Sequence, residues 1–146
     1  MIRMDIRAAL LLLFTFCLAL GLLTFVNLPT LAESLDGRRV VIIDGDTIAI
    51  GSERVRILNI DAPESFRPRC DAELVAGLRA KERLAQLLRI ENVQIDRHGQ
   101  DRYRRTPARV RADGRDVGET LIAEGHALPW RGGRAAWEER RRHWCG

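Results

Sequence analysis

Between residues 38 and 60 apolar positions come in short runs, punctuated by turn residues. Arg38 to Ile43 ends in four β-prone residues, Val40-Val41-Ile42-Ile43, and predicts a first strand. Asp44-Gly45 turns the chain, Thr47 to Ile50 resumes as a second strand, and Gly51-Ser52 turns it again. Arg54 to Ile60 predicts a third strand, with Val55 and Ile57 on one face and Arg56 on the other. Pro63 and Pro68 then hold an irregular loop.

From Asp71, the expected N-cap, the period changes. Leu74, Val75, Leu78, Leu84, Ala85 and Leu88 fall on one helical face, and Gly77 weakens that helix slightly. Val93 to Arg97 predicts a fourth strand. Ala108, Val110 and Ala112 alternate with Arg109 and Arg111 as a half-buried fifth strand, ended by Asp113-Gly114. Asp116 with Glu119 resembles a capping box, and Gly125 suits the position after a helix end. A last helix is expected from Arg134 to His143, with Trp137 and Trp144 on one face and Glu138 placed to pair with Arg142. The order β-β-β-α-β-β-α-α fits an α+β chain built on a five-stranded small β-barrel of the OB type, closed or partly open, with about three helices.

Ahead of this region Ala8 to Val26 is uncharged and mostly apolar, and Arg3 and Arg7 precede it. Thr30-Leu31-Ala32 offers small residues for cleavage. The run is longer than a usual signal core and just long enough to span a bilayer, so a cleaved signal peptide and an N-terminal membrane anchor both stay open. Either exports the remainder, as a periplasmic, secreted or inner-membrane-anchored protein, because the positive flank stays inside. The expected plan is residues 1–32 as signal or anchor, 33–37 as linker and 38–146 as one domain acting as a monomer.

Composition narrows the class. At 46% hydrophobic and 30% charged the chain is neither disordered nor a multi-span membrane protein. Of 24 Lys+Arg and 20 Asp+Glu, Arg3, Arg7 and Asp5 depart with the N-terminal segment, leaving about +3. Affinity for a polyanion would therefore need a local cluster. An aromatic content of 5% argues against a broad stacking surface for single strands. Cys17 lies in the apolar run; Cys70 and Cys145 remain as an even pair in an oxidising compartment and predict a disulfide, closing a loop large enough to contribute roughly 4 kcal/mol. Their spacing argues against zinc.

Candidate chemistry collects in three segments. Asp44-Gly45-Asp46-Thr47 and Arg56 through Glu64 put carboxylates at strand ends and in adjacent loops, where hard oxygen ligands suit Ca²⁺ or Mg²⁺. An EF-hand loop is excluded, because the positions that need Gly and Glu hold Ala49 and Val55. The third segment, Asp101-Arg102-Tyr103-Arg104-Arg105, is basic, and with Arg56 it could hold a phosphate from two sides. A metal with two guanidinium groups answers the extra charge of a phosphodiester transition state, and a carboxylate near an attacking water supplies the base. His98, His126 and His143 lack a ligand spacing, and Ser34, Ser52 and Ser65 sit in no nucleophile elbow.

With these motifs the chain resembles the staphylococcal nuclease family from about Val40 to Gly125. Val-Ile-Ile-Asp-Gly-Asp-Thr at 41–47, Val-Arg-Ile-Leu-Asn-Ile-Asp-Ala-Pro-Glu at 55–64, and Asp-Arg-Tyr at 101–103 with Arg105 carry the likeness. The resemblance implies an OB-fold, Ca²⁺-dependent endonuclease that hydrolyses DNA or RNA and leaves 3′-phosphate ends. It implies Asp46 and Asp61 as metal carboxylates, the Ala62 carbonyl as a further ligand, and Glu64 as general base. Arg56 and Arg105 become the phosphate cations, Asp44 an acid beside the metal, and Tyr103 a group on the nucleotide side. Two departures stand out. Ala62 replaces the family's Thr, which a carbonyl ligand tolerates. Arg104 replaces the family's Gly: if that position needs positive φ, Arg is strained there by roughly 1–2 kcal/mol, and a reset loop would present Arg104 instead of Arg105. Trp130 is the one aromatic near where the family places base-stacking tyrosines. The alternatives are a non-catalytic OB-type module binding nucleic acid or another polyanion, and a membrane-tethered accessory protein of envelope or surface-polysaccharide production.

Overall fold

The computed structural model describes residues 33–89 and 92–146; the expected signal or anchor over 1–32 lies outside them. Strands are β1 (Glu33–Leu35), β2 (Val40–Ile42), β3 (Thr47–Ile50), β4 (Glu53–Ile57), β5 (Ile60–Asp61), β6 (Val93–Arg97), β7 (Thr106–Ala112), β8 (Arg115–Asp116) and β9 (Leu128–Pro129). Helices are α1 (Asp71–Leu88), α2 (Val117–Ala123) and α3 (Arg134–Cys145), with a single 3-10 turn over Gly37–Arg39.

The main sheet runs β1-β6-β7-β4-β3-β2, with β8 added to β7. β2, β3 and β4 form an antiparallel meander, and β4 then pairs in parallel with β7, Val55 opposite Thr106 and Ile57 opposite Ala108. That pairing needs a crossover, and α1 and β6 supply it. This is the OB arrangement, α+β with three helices, that the order of elements predicts. Alternation places Val55, Ile57, Val93, Ile95, Ala108 and Val110 inside, where they pack on Ile48, Ile60, Leu84, Leu88 and Leu121. Among the described residues, no aromatic side chain contributes to this core.

Several expectations are corrected. Residues 33–35, assigned to a linker, form β1: Glu33 pairs with Ile95, and Leu35 is buried in the core. The third strand ends at Ile57 rather than Ile60, because Asn59 takes φ 65° and turns the chain into β5, which pairs with β9. The N-cap of α1 is Cys70, whose sulfur accepts the Glu73 N–H, and Asp71 is the first helical residue. The buried stripe of α1 is Glu73, Gly77, Ala80, Leu84 and Leu88, whereas Val75 and Leu78 face solvent. The cause is close approach. A Cβ on Gly77 would stand 2.8 Å from the carbonyl oxygens of Pro63 and Glu64, so the 62–64 loop lies directly on the helix. Gly77 is therefore a packing requirement. Gly45 is similar: a Cβ there would meet Ala62 and Ala80 at 2.7 and 2.8 Å. On α3, Glu138 pairs with Arg134, one turn earlier, rather than with Arg142.

Candidate active site

The β2–β3 turn, the end of β4 and the loop after β5 converge on one carboxylate–guanidinium cluster. Asp44 caps the turn by accepting the Asp46 N–H at 3.1 Å, and the Asp46 carbonyl accepts the Ile57 N–H at 2.8 Å. These bonds hold the Asp46 side chain inward, only 8% exposed. Its Oδ2 accepts the Ala62 N–H at 2.9 Å, its Oδ1 accepts the Thr47 hydroxyl at 3.1 Å, and Arg56 Nη1 stands 2.6 Å from Oδ2. The other Arg56 nitrogen, Nη2, donates to the Ile60 carbonyl at 3.0 Å and to Asp61 Oδ1 at 3.2 Å. Arg140 of α3 approaches Asp61 from the far side, Nε to Oδ2 at 2.5 Å.

Desolvation dominates the electrostatics of the cluster. Burial pushes the Asp46 carboxyl up to about 7; Asp44 adds to this, and Arg56 and the Ala62 N–H only partly offset it. Partial burial, then Asp44, Glu73 and Asp61, raise Glu64 above the ordinary carboxylate range. Glu73 is fully enclosed, and burial alone would raise it. Arg69 prevents this by ion-pairing with Glu73 and donating its own backbone N–H at 2.6 Å, and the Glu73 carboxyl ends below its usual range.

Of the residues expected from sequence, Asp44, Asp46, Arg56, Asp61 and Ala62 meet directly. Glu64 lines a cleft of about 390 Å³ with Asp61, Ala62, Arg67, Arg69, Trp137 and Arg140. Arg105 lines a second cleft of about 370 Å³, which it shares with Arg56, Asn59, Asp101 and Trp130. Arg105 is folded onto Asp101, with Nε and Nη2 each 2.8 Å from Oδ2. Tyr103 is exposed beside it, its ring centroid 5.3 Å from the Arg105 guanidinium and 4.8 Å from that of Arg102. Arg104 adopts φ 59°, so the loop keeps a left-handed residue; Arg104 is exposed, while Arg105 enters the cleft. Cys70 and Cys145 form a disulfide, Cα–Cα 5.9 Å, that ties α3 to the start of α1. None of the three histidines lines either cleft.

Three contributors escape sequence reasoning. Glu73 follows Cys70 at capping-box spacing, a signal hidden because Cys stands in place of Ser or Thr. Arg140 is one of three consecutive arginines, and nothing local distinguishes it. Trp137 was expected to share a face with Trp144, yet it lies 47% exposed in the Glu64 cleft.

Among the described residues no three His, Cys, Asp or Glu side chains are arranged as a ready metal cage. The donor chemistry nevertheless fits a hard cation. Two aspartates share one guanidinium, their ligand atoms are oxygens, and burial leaves the Asp46 carboxylate poorly solvated.

An OB barrel with acids and arginines gathered at the mouth of its meander defines the class. The chain belongs to the family described as Staphylococcal nuclease homologue, whose pattern it matches over residues 54–141. It is 37% identical to the succinoglycan biosynthesis protein ExoI of Rhizobium meliloti over 66% of this chain and 53% of that one. It is 32% identical to an uncharacterized endonuclease of Haemophilus influenzae over 75% of this chain and 61% of that one. It is 38% identical to the micrococcal nuclease of Shigella flexneri over 60% and 48%. The chain thus spans roughly half to three-fifths of the length of these relatives.

Proposed function

We propose that this protein is an exported, Ca²⁺-dependent endonuclease that hydrolyses DNA or RNA phosphodiesters and leaves 3′-phosphate ends. The observation that carries the reading is the partly buried Asp46–Arg56–Asp61 cluster with Glu64 beside it, a group of carboxylates next to two clefts lined by arginine. Family membership and nuclease-named relatives support the reaction class.

Asp46 and Asp61, with the Ala62 carbonyl, would hold the ion, which supplies charge stabilisation at the phosphoryl oxygens when bound. Arg56 is the first phosphate cation, held in place by Asp46, Asp61 and the Ile60 carbonyl. Arg105 is the second, and it must leave Asp101 to reach the substrate. Both offer guanidinium N–H groups where charge grows in the transition state. Glu64, on the cleft wall beside Asp61, accepts the proton of the attacking water. Export fits the Cys70–Cys145 bridge, which needs an oxidising compartment, and a compartment rich in Ca²⁺ tolerates a weak site.

Plasmid and RNA digestion with Ca²⁺, Mg²⁺ or EDTA tests the reading. Cleavage with Ca²⁺ that stops with EDTA and with Asp46→Ala is expected; full activity in excess EDTA refutes the metal mechanism. An accessory role in surface-polysaccharide production has one observation behind it, the 37% identity to ExoI. Cleavage by the purified protein would make that a setting for the chemistry rather than a rival to it.

A further inference from the structure

The aromatic residues of the described segment are distributed in an unusual way. None lies in the core. Of the five, Phe66 is 84% exposed, Tyr103 63%, Trp130 57% and Trp137 47%, and Trp144 is half-buried against His143. Exposed rings gathered at a groove, unlike rings scattered singly, mark a surface that binds something. Their positions are not random either. Trp130 lines the cleft of Arg56 and Arg105, and Tyr103 lies against Arg105. Trp137 lines the other cleft, with Asp61, Glu64, Arg67 and Arg140, and Phe66 is beside Arg67. The two clefts meet where Arg56 bonds Asp61.

We propose that the cleft between the 61–69 segment and α3 is a second nucleotide subsite for single-stranded nucleic acid, with Trp137 as the base platform and Arg67 as the phosphate ligand. The inference rests on the nuclease reading of the shared Arg56–Asp61 junction. A strand whose scissile phosphate sits at that junction sends one nucleotide toward Trp130 and the other toward Trp137. Aromatic faces accept any base, so stacking on both sides grips a strand without reading its sequence. The chemistry of the second cleft fits this occupant. Arg69 is committed to Glu73, and its guanidinium lies over the Trp137 ring, 5.7 Å from the centroid, on one side of the indole. Arg140 is committed to Asp61 and to the Arg131 carbonyl. Arg67 has no carboxylate partner among the described residues, so its charge is available to a phosphate. A duplex would keep its bases stacked on each other and out of reach of either indole, so the subsite selects a single strand. The disulfide is part of the device: α3 buries no residue, yet it carries Trp137 and is bolted beside the site through Cys145.

The test uses the full-length protein and oligothymidylates of two and eight nucleotides carrying a fluorescent label. Anisotropy in EDTA measures binding without cleavage, and KM in Ca²⁺ measures it during turnover. Trp137→Ala should weaken binding of the eight-mer about tenfold, as expected for loss of one stacked base. Trp137→Phe should recover most of it, and the dinucleotide, which reaches both indoles from the junction, should weaken with Trp137→Ala as the eight-mer does. Arg67→Ala should weaken the eight-mer and reduce the slope of log affinity against log salt by about one. Both residues are exposed, and an unchanged melting temperature confirms that each variant is folded. If the parent cleaves and binds the eight-mer but Trp137→Ala does so equally well, the subsite is refuted and the nuclease reading stands. If the parent neither binds nor cleaves any oligonucleotide, both fail. Tighter binding of an eight-base-pair duplex than of the single strand overturns the proposed occupant.

Discussion

Replacing Asp46 by Asn removes a charge from a position where the metal-free fold holds it poorly. Asp46 is 8% exposed, and its carboxyl sits at about 7 rather than the usual 3.8. Between those values the native protein binds a proton that the unfolded chain does not. The stability tied to this group is complete below pH 3.8, falls as the pH rises, and stops falling above pH 7. Each pH unit inside the window is worth about 1.4 kcal/mol, so the two units between pH 5 and 7 amount to about 3 kcal/mol. Asn is close to Asp in shape and neutral throughout, so the variant escapes this loss. In EDTA, its unfolding free energy relative to the parent should shift in its favour by about 3 kcal/mol from pH 5 to pH 8. For a domain of this size that is on the order of 10 °C in melting temperature. Comparing two pH values cancels any change in packing, which is the same at both. Urea unfolding at the two pH values makes the measurement. A difference that stays constant within about 1 kcal/mol would mean that Arg56 outweighs burial and that Asp46 is an ordinary ionised partner. The same variant should lose Ca²⁺-dependent cleavage, a gain in stability at the expense of function.

Three further outcomes are expected. Arg105→Ala should lower kcat by about 10²–10³-fold with a smaller change in KM, measured on plasmid DNA, because the lost interaction is strongest in the transition state; Arg104→Gly should keep or raise activity and raise the melting temperature by a few degrees, since Arg104 occupies φ 59°, and a crippled Arg104→Gly with a normal Arg105→Ala would reverse the assignment. Gly77→Ala should cost about 1–3 kcal/mol and reduce kcat, because the new Cβ must push away the backbone that carries Glu64; parent-like urea unfolding and rate would show that the loop yields freely. Reducing the disulfide should remove up to about 4 kcal/mol of stability by the chain-entropy argument, seen as a lower melting temperature in dithiothreitol, and two free thiols in the oxidised native protein by Ellman titration would show that the bridge does not form in solution.

Which features were legible in the sequence follows from how local their causes are. The β2–β3–β4 meander is written in alternation and turn residues, and the Asp116–Glu119 cap appears as expected, with the Glu119 N–H donating to Asp116 at 3.1 Å. β1 was missed because three residues with one buried apolar side chain carry no period; its pairing with β6 defines it. The face of α1 was misread for a related reason. Counting large apolar residues selects Val75 and Leu78, but the packed side is the one where a loop backbone leaves room only for Gly77 and Ala80. In the site, the Asp46, Arg56 and Asp61 motifs were visible through the family resemblance, and the structure brings them together. Arg140 and Trp137 were not, because their role depends on where a disulfide sets α3, and no spacing along the chain encodes that.

The parallel pairing of β4 with β7 also governs how the protein is made. Arg56 and Arg105 belong to the ends of strands that meet only after the intervening helix and β6 have been folded over. Contacts this distant in sequence must be reached by a long loop closure before they return any free energy, and they slow folding accordingly. Acids from the first hairpin, a cation from the sixth-to-seventh strand connection and an arginine from the final helix are drawn together in the same event. A nascent chain emerging from its N-terminus therefore has the β2–β3–β4 meander well before it has a working site, and the catalytic constellation is completed only as the last helix arrives.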